Sequence, residues 1–179
     1  ADKEYDAAIA KYRQLLEKYP NSPLLPNATY SLGWTLLGKD DYSAAAATLS
    51  ALIDKDAKHA LVPRAKYARA IARQQLKDFA GGAADAEAFL QTKPSDPDKA
   101  DAQYVLGLCY VGLQKWDDAT KVLQALITES LQLLDGRELA LKLAQQALDL
   151  LGPQARDMAT FEATRLKGMP WPKVAQPDG

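Results

Sequence analysis

Residues 28–52, ATYSLGWTLLGKDDYSAAAATLSAL, form the stretch that decides the fold. They predict one helix, a tight turn over residues 38–41 and a second helix. The marker residues of this hairpin recur twice at a step of 37 residues, as the sets Tyr30/Tyr67/Tyr104, Gly33/Ala70/Gly107, Tyr42/Phe79/Trp116 and Ala45/Gly82/Ala119. A constant period of this size, built on a helical hairpin, predicts an all-α repeat solenoid.

Composition excludes several classes of partner and site. The 179 residues carry 22 basic and 23 acidic side chains, a formal charge of −1, so we expect neither nucleic acid nor an anionic membrane as a partner. A single cysteine excludes an internal disulfide and a multi-cysteine metal site. No apolar run approaches the roughly 18 residues of a membrane span. The chain begins at Ala1 without a methionine, which we interpret as a processing site or a boundary within a longer protein.

The hydrophobic periodicity predicts how the chain is divided. The predicted helices are 1–19, 26–38, 41–54, 63–76, 78–92, 98–113, 116–133, 137–151 and 154–167. The predicted organisation is a helical repeat domain over 1–167, with a half repeat at 1–20, repeats at 26–57, 63–94 and 98–133, a divergent terminal pair at 137–167, and a proline-rich extended tail at 168–179. The half repeat is a second helix without its partner, because Tyr5 and Ala8 lie one period before Tyr42 and Ala45.

These residues resemble the tetratricopeptide repeat family. The matching positions are Tyr30, Leu32, Gly33, Leu36, Tyr42, Ala45, Leu49 and Leu52 in the first repeat, and Tyr104, Leu106, Gly107, Tyr110, Trp116, Ala119, Leu123 and Leu126 in the third. Pro20 and Pro94 stand where the family's repeat-ending proline belongs, whereas Ala57 departs from it. The resemblance implies a right-handed superhelical solenoid of antiparallel helix pairs, whose first helices line a concave groove that holds a peptide.

The spacing between repeats suggests a narrower resemblance. The step of 37 residues exceeds the family's usual length of about 34, and the extra residues lie in proline-containing connections between the repeats. This longer form is similar to bacterial cell-envelope members of the family, such as the Tol-Pal-associated and outer-membrane-assembly proteins. We therefore favour a periplasmic or envelope location over a cytoplasmic one.

The resemblance also implies a set of groove residues. They are Asn27, Tyr30, Trp34 and Leu37 in the first pair, Arg64, Tyr67, Ile71 and Gln74 in the second, and Asp101, Tyr104, Leu108 and Val111 in the third. The three tyrosines recur at one position, so we expect a ladder of aromatic faces with hydroxyl groups at its rim, which suits peptide recognition. The alternative is that these tyrosines pack between neighbouring repeats.

One function of the family is disfavoured by residue type. Members that hold the C-terminal carboxylate of chaperones use lysine, arginine and asparagine on their first helices. Here the matching positions hold Tyr30, Trp34, Ala68, Asp101 and Val105. No cationic pair is present there to bind a carboxylate, so we do not expect a chaperone-tail clamp.

Other chemically capable residues have simpler structural explanations. His59 lies in a polar connection with no nucleophile tied to it by a motif, and Cys109 lies within a predicted first helix as a small apolar residue. The acidic pairs at residues 40–41 and 117–118 are explained by helix capping and dipole stabilisation. No phosphate loop, zinc spacing or nucleophile elbow is present, so we expect no cofactor, no metal and no catalysis.

Three functional hypotheses remain. The first is a non-catalytic protein–protein interaction module that binds a peptide segment of a partner in the groove, as an assembly scaffold or adaptor. The second is a scaffold that associates with itself through apolar ends, giving a homo-oligomer. The third is the regulatory repeat array of a larger enzyme.

Overall fold

A computed structural model describes residues 2–132 of the chain, with side chains described for residues 4–129. This part is helical throughout and contains no strand. The predicted terminal pair at 137–167 and the tail at 168–179 lie outside the described residues.

Seven α-helices occupy the described part of the chain. They are α1 (Asp2–Lys18), α2 (Leu25–Gly38), α3 (Tyr42–Lys55), α4 (Val62–Gln75), α5 (Phe79–Leu90), α6 (Asp96–Gly112) and α7 (Trp116–Gln132). Every helix end that can be compared lies within two residues of its predicted position.

The helices stack as antiparallel hairpins, with α2–α3, α4–α5 and α6–α7 as the three complete pairs and α1 packed on α2. The first helices α2, α4 and α6 also contact one another in sequence. Among residues 2–132, the second helices α3, α5 and α7 make no such mutual contact. Successive hairpins pack mainly through the second helix of one pair and the first helix of the next, α3 on α4 and α5 on α6. The additional contacts between first helices indicate that the array curves toward that side. The chain is an all-α solenoid of helix pairs.

The turn inside each hairpin has one geometry, repeated at the 37-residue step. Asp40, Lys77 and Gln114 each have a positive φ, of 61°, 63° and 59°. In the first turn the N–H of Asp41 donates to the carbonyl of Leu36 at 2.9 Å, and the N–H of Asp40 donates to that of Leu37 at 3.0 Å. The other two turns repeat both bonds. This is a Schellman ending, which usually places glycine at the left-handed residue.

Aspartates at the start of two second helices satisfy free backbone donors, which the sequence predicts for the first of them, Asp41. Asp41 accepts from the N–H of Ala44 at 3.1 Å, and Asp78 accepts from the N–H of Gly81 at 3.1 Å. A capping bond of this kind stabilises a helix by about 1 kcal/mol. Each hairpin therefore ends one helix and begins the next within four residues.

Small residues set how closely the helices of a hairpin approach. A Cβ added to Gly33 would lie 2.6 Å from Leu49 Cδ2, and one added to Gly107 would lie 2.5 Å from Cδ2 of Leu123. The middle hairpin has Ala70 at the equivalent position, and there the leucine is replaced by Ala86. A methyl group gained on the first helix is therefore matched by volume lost on the second, which keeps the packing density constant.

Helix α1 has one packed face and one polar face. Ile9 is buried, and Tyr5, Tyr12, Leu15 and Leu16 are half-buried. The exposed residues of α1 from residue 4 onward are alanine or polar. The hypothesis of association through an apolar N-terminal end therefore gains no support from the exposed face of α1.

Candidate protein-binding surface

The exposed sides of α2, α4 and α6 form one continuous face, which we call the first-helix surface. The predicted groove residues that are half-buried on it are Tyr30, Tyr67, Ile71, Gln74, Tyr104, Leu108 and Val111, and those that are exposed are Asn27, Trp34, Arg64 and Asp101. These eleven residues therefore lie where a partner could reach part or all of the side chain.

Leu37 is placed differently from its prediction. Its side chain is only 8% exposed and belongs to the hydrophobic cluster that also contains Ile9 and Leu36. The cause is α1, which packs against α2 and covers its C-terminal part, where Tyr5 reaches Gly38. Leu37 is a core residue and does not belong to the candidate surface.

An aromatic row crosses the first-helix surface from α2 to α4. The Trp34 ring lies between two tyrosines, with its centroid 6.3 Å from that of Tyr30 and 6.1 Å from that of Tyr67. Tyr67 in turn stacks on Phe89 of α5 at 5.1 Å. These separations are within the favourable range for aromatic pairs, about 4.5–7 Å. The row therefore fixes the Trp34 ring while leaving 37% of the residue exposed.

The predicted ladder of three tyrosines differs from the aromatic row in the structure, which contains only two of them. Tyr30 and Tyr67 are joined through Trp34, whereas Tyr104 packs against the separate cluster of Leu123 and Leu126. Each of the three tyrosines also packs against a buried hydrophobic cluster. The tyrosines are therefore partly structural, as the alternative interpretation held, and Trp34 is the most exposed aromatic residue among the predicted groove residues.

Acidic side chains border the aromatic row on the α6 side. Burial raises the pKa of Tyr67 well above its usual value, and the negative charges of Asp101 and Asp98 raise it further. Burial, and then the charge of Asp98, also raise the pKa of Asp101. Arg64, the exposed cation at the equivalent position of α4, makes no ion pair or hydrogen bond within residues 4–129. This end of the surface therefore carries both signs of charge, negative from Asp98 and Asp101 on α6 and positive from Arg64 on α4.

A buried ion-pair network in the middle hairpin was missed by the sequence analysis. The Arg69 guanidinium donates to both carboxylate oxygens of Asp85, at 2.7 and 2.8 Å, and its Nη1 donates to Ser50 Oγ of α3 at 2.9 Å. Arg73 donates to the same carboxylate at 2.8 Å. Asp85 is 5% exposed, so this network ties three helices together inside the fold.

The sequence did contain a signal for this network. Arg69 stands one period after Leu32 and one before Leu106, at a buried apolar position. Asp85 departs from the pattern on the facing helix, where the equivalent residues are Thr48 and Val122. Two opposite charges that break the same repeat together predict a pair.

The remaining candidates have structural surroundings. Cys109 is fully buried against the position of Gly82, and burial raises the pKa of its thiol to about 12. That thiol therefore stays protonated near neutral pH, which makes it a poor nucleophile. His59 accepts the N–H of Leu61 on Nδ1 at 3.1 Å in the α3–α4 connection. Within the described residues, no group of three or more His, Cys, Asp or Glu is arranged to hold a metal ion. None of the described helices is long and apolar enough to cross a membrane.

Comparison with known proteins agrees with the helical period. A tetratricopeptide repeat profile matches residues 1–60, 30–97 and 67–131. No curated protein sequence matches the chain. Among solved structures, MamA 41-end from Desulfovibrio magneticus RS-1 is similar over 93% of this chain and 93% of its own, with 19% identity and a TM-score of 0.67.

A second solved structure, titled MamA RS-1 ArsTM double mutant, is similar over 93% of this chain and 96% of its own, with 18% identity and a TM-score of 0.63. At these identities the likeness shows the fold alone. The profile, in contrast, covers most of the chain, and repeats of this kind are protein–protein interaction scaffolds. The chain belongs to the tetratricopeptide repeat family.

Proposed function

We propose that the chain is a non-catalytic interaction module that binds a peptide segment of a partner protein on the first-helix surface. The observation that carries the proposal is Trp34, which is held between Tyr30 and Tyr67 yet remains 37% exposed. A large aromatic side chain fixed in one orientation can bind a partner without losing much conformational freedom on association.

The exposed part of Trp34 is large enough to matter for affinity. A buried tryptophan contributes up to about 250 Å², so covering the remaining third would contribute about 2 kcal/mol. Tryptophan and tyrosine are also the residue types most often found at energetic centres of interfaces. Trp34 and its neighbours therefore fit the centre of a transient, roughly micromolar binding site.

The rest of the first-helix surface resembles the layout of an interface. Ile71 and Leu108 offer half-buried apolar surface on α4 and α6. Asn27 is exposed and Gln74 half-buried, and their amide groups can form hydrogen bonds on the same surface. An apolar centre with polar groups around it is the usual arrangement at protein interfaces.

A matched pair of variants tests the proposal. Peptides selected from a random displayed library on the full chain would be titrated by calorimetry against Trp34→Ala and Trp116→Ala. Trp116 is the control because it is 46% exposed but lies at the start of α7, a second helix. We expect at least a tenfold loss of affinity for Trp34→Ala and less than a twofold change for Trp116→Ala.

The opposite pattern would reject the proposal. If selected peptides bind the folded Trp34→Ala variant as tightly as the unmodified chain, the first-helix surface is not where they bind. Far-ultraviolet circular dichroism of both variants at the titration temperature establishes that the chain is folded.

A further inference from the structure

The last described helix, α7, packs on α6 and on no other described helix, which leaves the opposite side of α7 without a partner there. We propose that residues 137–151 of the same chain bind on that side and act as the next first helix. They lie outside the described residues, and the sequence predicts a helix for them. The occupant is thus this chain's own segment, and the first-helix surface gains a fourth helix beside α6.

An aromatic ring at the start of α7 lacks the seat that two equivalent rings have. A Cβ added to Gly38, at the end of α2, would lie 2.9 Å from the Tyr5 ring, and one added to Gly112, at the end of α6, would lie 2.5 Å from the Phe79 ring. Tyr5 and Phe79 therefore lie on the end of the following first helix. Trp116 holds their position on α7 and is 46% exposed, whereas Tyr5 and Phe79 are half-buried.

A hydrogen-bonding position on the second helices gives an independent sign of the same kind. Nη1 of Arg69 on α4 donates to Ser50 Oγ on α3 at 2.9 Å, and the Tyr110 hydroxyl on α6 donates to Glu87 Oε1 on α5 at 2.6 Å. Ser50 and Glu87 are one period apart, and Gln124 of α7 follows them in the series. Within residues 4–129 the Gln124 side chain makes no hydrogen bond.

An apolar position on the same side of the second helices is also incompletely packed on α7. Ile53 of α3 belongs to the cluster that includes Val62 of α4, and Leu90 of α5 packs against the cluster that includes Val105 of α6. The equivalent residue of α7 is Ile127, which is half-buried and belongs to none of the clusters formed by the described residues. Three positions that meet the following helix earlier in the array are therefore available on α7.

The sequence of residues 137–151 has the pattern that this position requires. From residue 138 onward its polar residues recur at helical spacing, and every other residue is leucine or alanine. The polar residues are Glu138, Lys142, Gln145, Gln146 and Asp149. Such a helix has one narrow polar side and a wide apolar side. A first helix needs a wide apolar side because it packs on the preceding second helix and on its own hairpin partner.

The short connection favours this segment over a second copy of the chain. Residues 133–136 separate α7 from the segment, and the described connections between hairpins, 56–61 and 91–95, are similarly short. Short connections place consecutive helices side by side. A short tether also gives an effective concentration in the millimolar range, above that of a second chain in a dilute solution. In addition, the exposed residues of α1 from residue 4 onward are alanine or polar, so a second copy offers no matching apolar face at its N-terminal end.

Photo-cross-linking in the full chain tests the contact. p-Benzoylphenylalanine replaces Trp116, an equal mixture of ¹⁵N-labelled and unlabelled chains is illuminated, and the adducts are located by mass spectrometry after trypsin digestion. We expect a cross-link within one chain to the tryptic peptide 143–156, which contains the last turn of the segment. The same reagent in place of Leu76, which is 47% exposed just after α4, should give no cross-link to that peptide.

Two variants that each add one negative charge test which side of the segment binds. Leu143→Asp places the charge on the apolar side and should reduce the yield of the cross-link from position 116 by fivefold or more. Gln145→Asp places it on the polar side, with Lys142 and Asp149, and should change the yield by less than twofold. Circular dichroism establishes that both variants are folded, and if Leu143→Asp is not, the cross-link in the otherwise unmodified chain decides alone.

The remaining outcomes overturn the inference. An adduct between a labelled and an unlabelled chain would show that a second copy occupies this side of α7. An adduct outside residues 137–151, or no adduct from position 116, would show that the segment does not bind there. Equal yields for Leu143→Asp and Gln145→Asp would likewise exclude packing through the apolar side.

Discussion

The first helices of this solenoid have two faces that follow different rules. On the face toward the second helix, the small residues Gly33, Ala70 and Gly107 are buried at every repeat, and their volumes are matched by the residues across the hairpin. On the first-helix surface, the position of Trp34 holds isoleucine and then leucine in the following repeats. Residue size therefore repeats most strictly on the packed face. The residue types that differ from repeat to repeat lie on the first-helix surface.

The packed face has one exception, in the middle hairpin. There Arg69 and Asp85 form an ion pair where the flanking hairpins have the uncharged pairs Leu32/Thr48 and Leu106/Val122. Such a pair adds little net stability compared with apolar residues of the same volume, but it is very sensitive to the loss of one partner. Breaking it should therefore produce the largest effect of any single change considered below.

Removing one partner of this pair is the first prediction. Asp85→Ala leaves Arg69, whose side chain is 12% exposed, without its carboxylate, and should lower the free energy of unfolding by about 3–5 kcal/mol. Urea denaturation followed by circular dichroism measures it. The control is the double variant Arg69→Leu/Asp85→Val, which copies the Leu106/Val122 pair of the third hairpin and keeps Arg73 beside Asp78. The double variant should be as stable as the unmodified chain. If its free energy of unfolding falls as much as that of Asp85→Ala, the claim that the ion pair adds little net stability is wrong.

Volume matching inside a hairpin gives the second prediction. Gly33→Ala introduces a Cβ at 2.6 Å from the side chain of Leu49 and should cost about 1–3 kcal/mol in the free energy of unfolding. Adding Leu49→Ala relieves that overlap and copies the Ala70/Ala86 pair of the middle hairpin. A double-mutant cycle by urea denaturation should therefore show a favourable coupling between the two substitutions. Additive effects would mean that the volumes at positions 33 and 49 are not matched.

The third prediction concerns the stability of the exposed tryptophans. Trp34→Ala and Trp116→Ala each remove a partly buried ring and should each lower the free energy of unfolding by about 1–3 kcal/mol, after allowing for the area that alanine still buries and for compactness of the unfolded chain. If chemical denaturation gives similar losses of stability for the two variants, a difference in their peptide affinity cannot be attributed to unfolding. A loss above about 4 kcal/mol for Trp34→Ala alone would mean that the ring belongs to the core.

The smallest effect should come from the repeated turn. Lys77→Gly removes a side chain from a residue with φ of 63° and should stabilise the chain by about 0.5–1 kcal/mol. Asp40→Gly is the matched change in the first turn, where the Tyr42 hydroxyl donates to Asp40, so its gain should be smaller. Thermal unfolding of both variants measures the difference, and equal gains would show that the Tyr42 hydrogen bond is unimportant.

Much of the fold was predictable because helical packing imposes a strict period. Gly33 and Ala45 recur at the 37-residue step, and the acidic pair at residues 40–41 indicated a helix start, so local signals were enough to locate the hairpins. Leu37 was misplaced because its burial depends on α1, whose position against α2 a repeat pattern does not describe. The insertion of Trp34 between two tyrosines depends on side-chain direction, which residue spacing alone does not determine.

The most direct test of the central claim replaces Trp34 by the photo-reactive residue p-benzoylphenylalanine. A selected peptide is bound to the full chain, illuminated, and the adduct is located by mass spectrometry. The claim predicts a cross-link between the peptide and position 34, and none when the same residue replaces Trp116. A peptide that still binds but cross-links only from position 116, or from neither position, would contradict the assignment of the first-helix surface as the binding site.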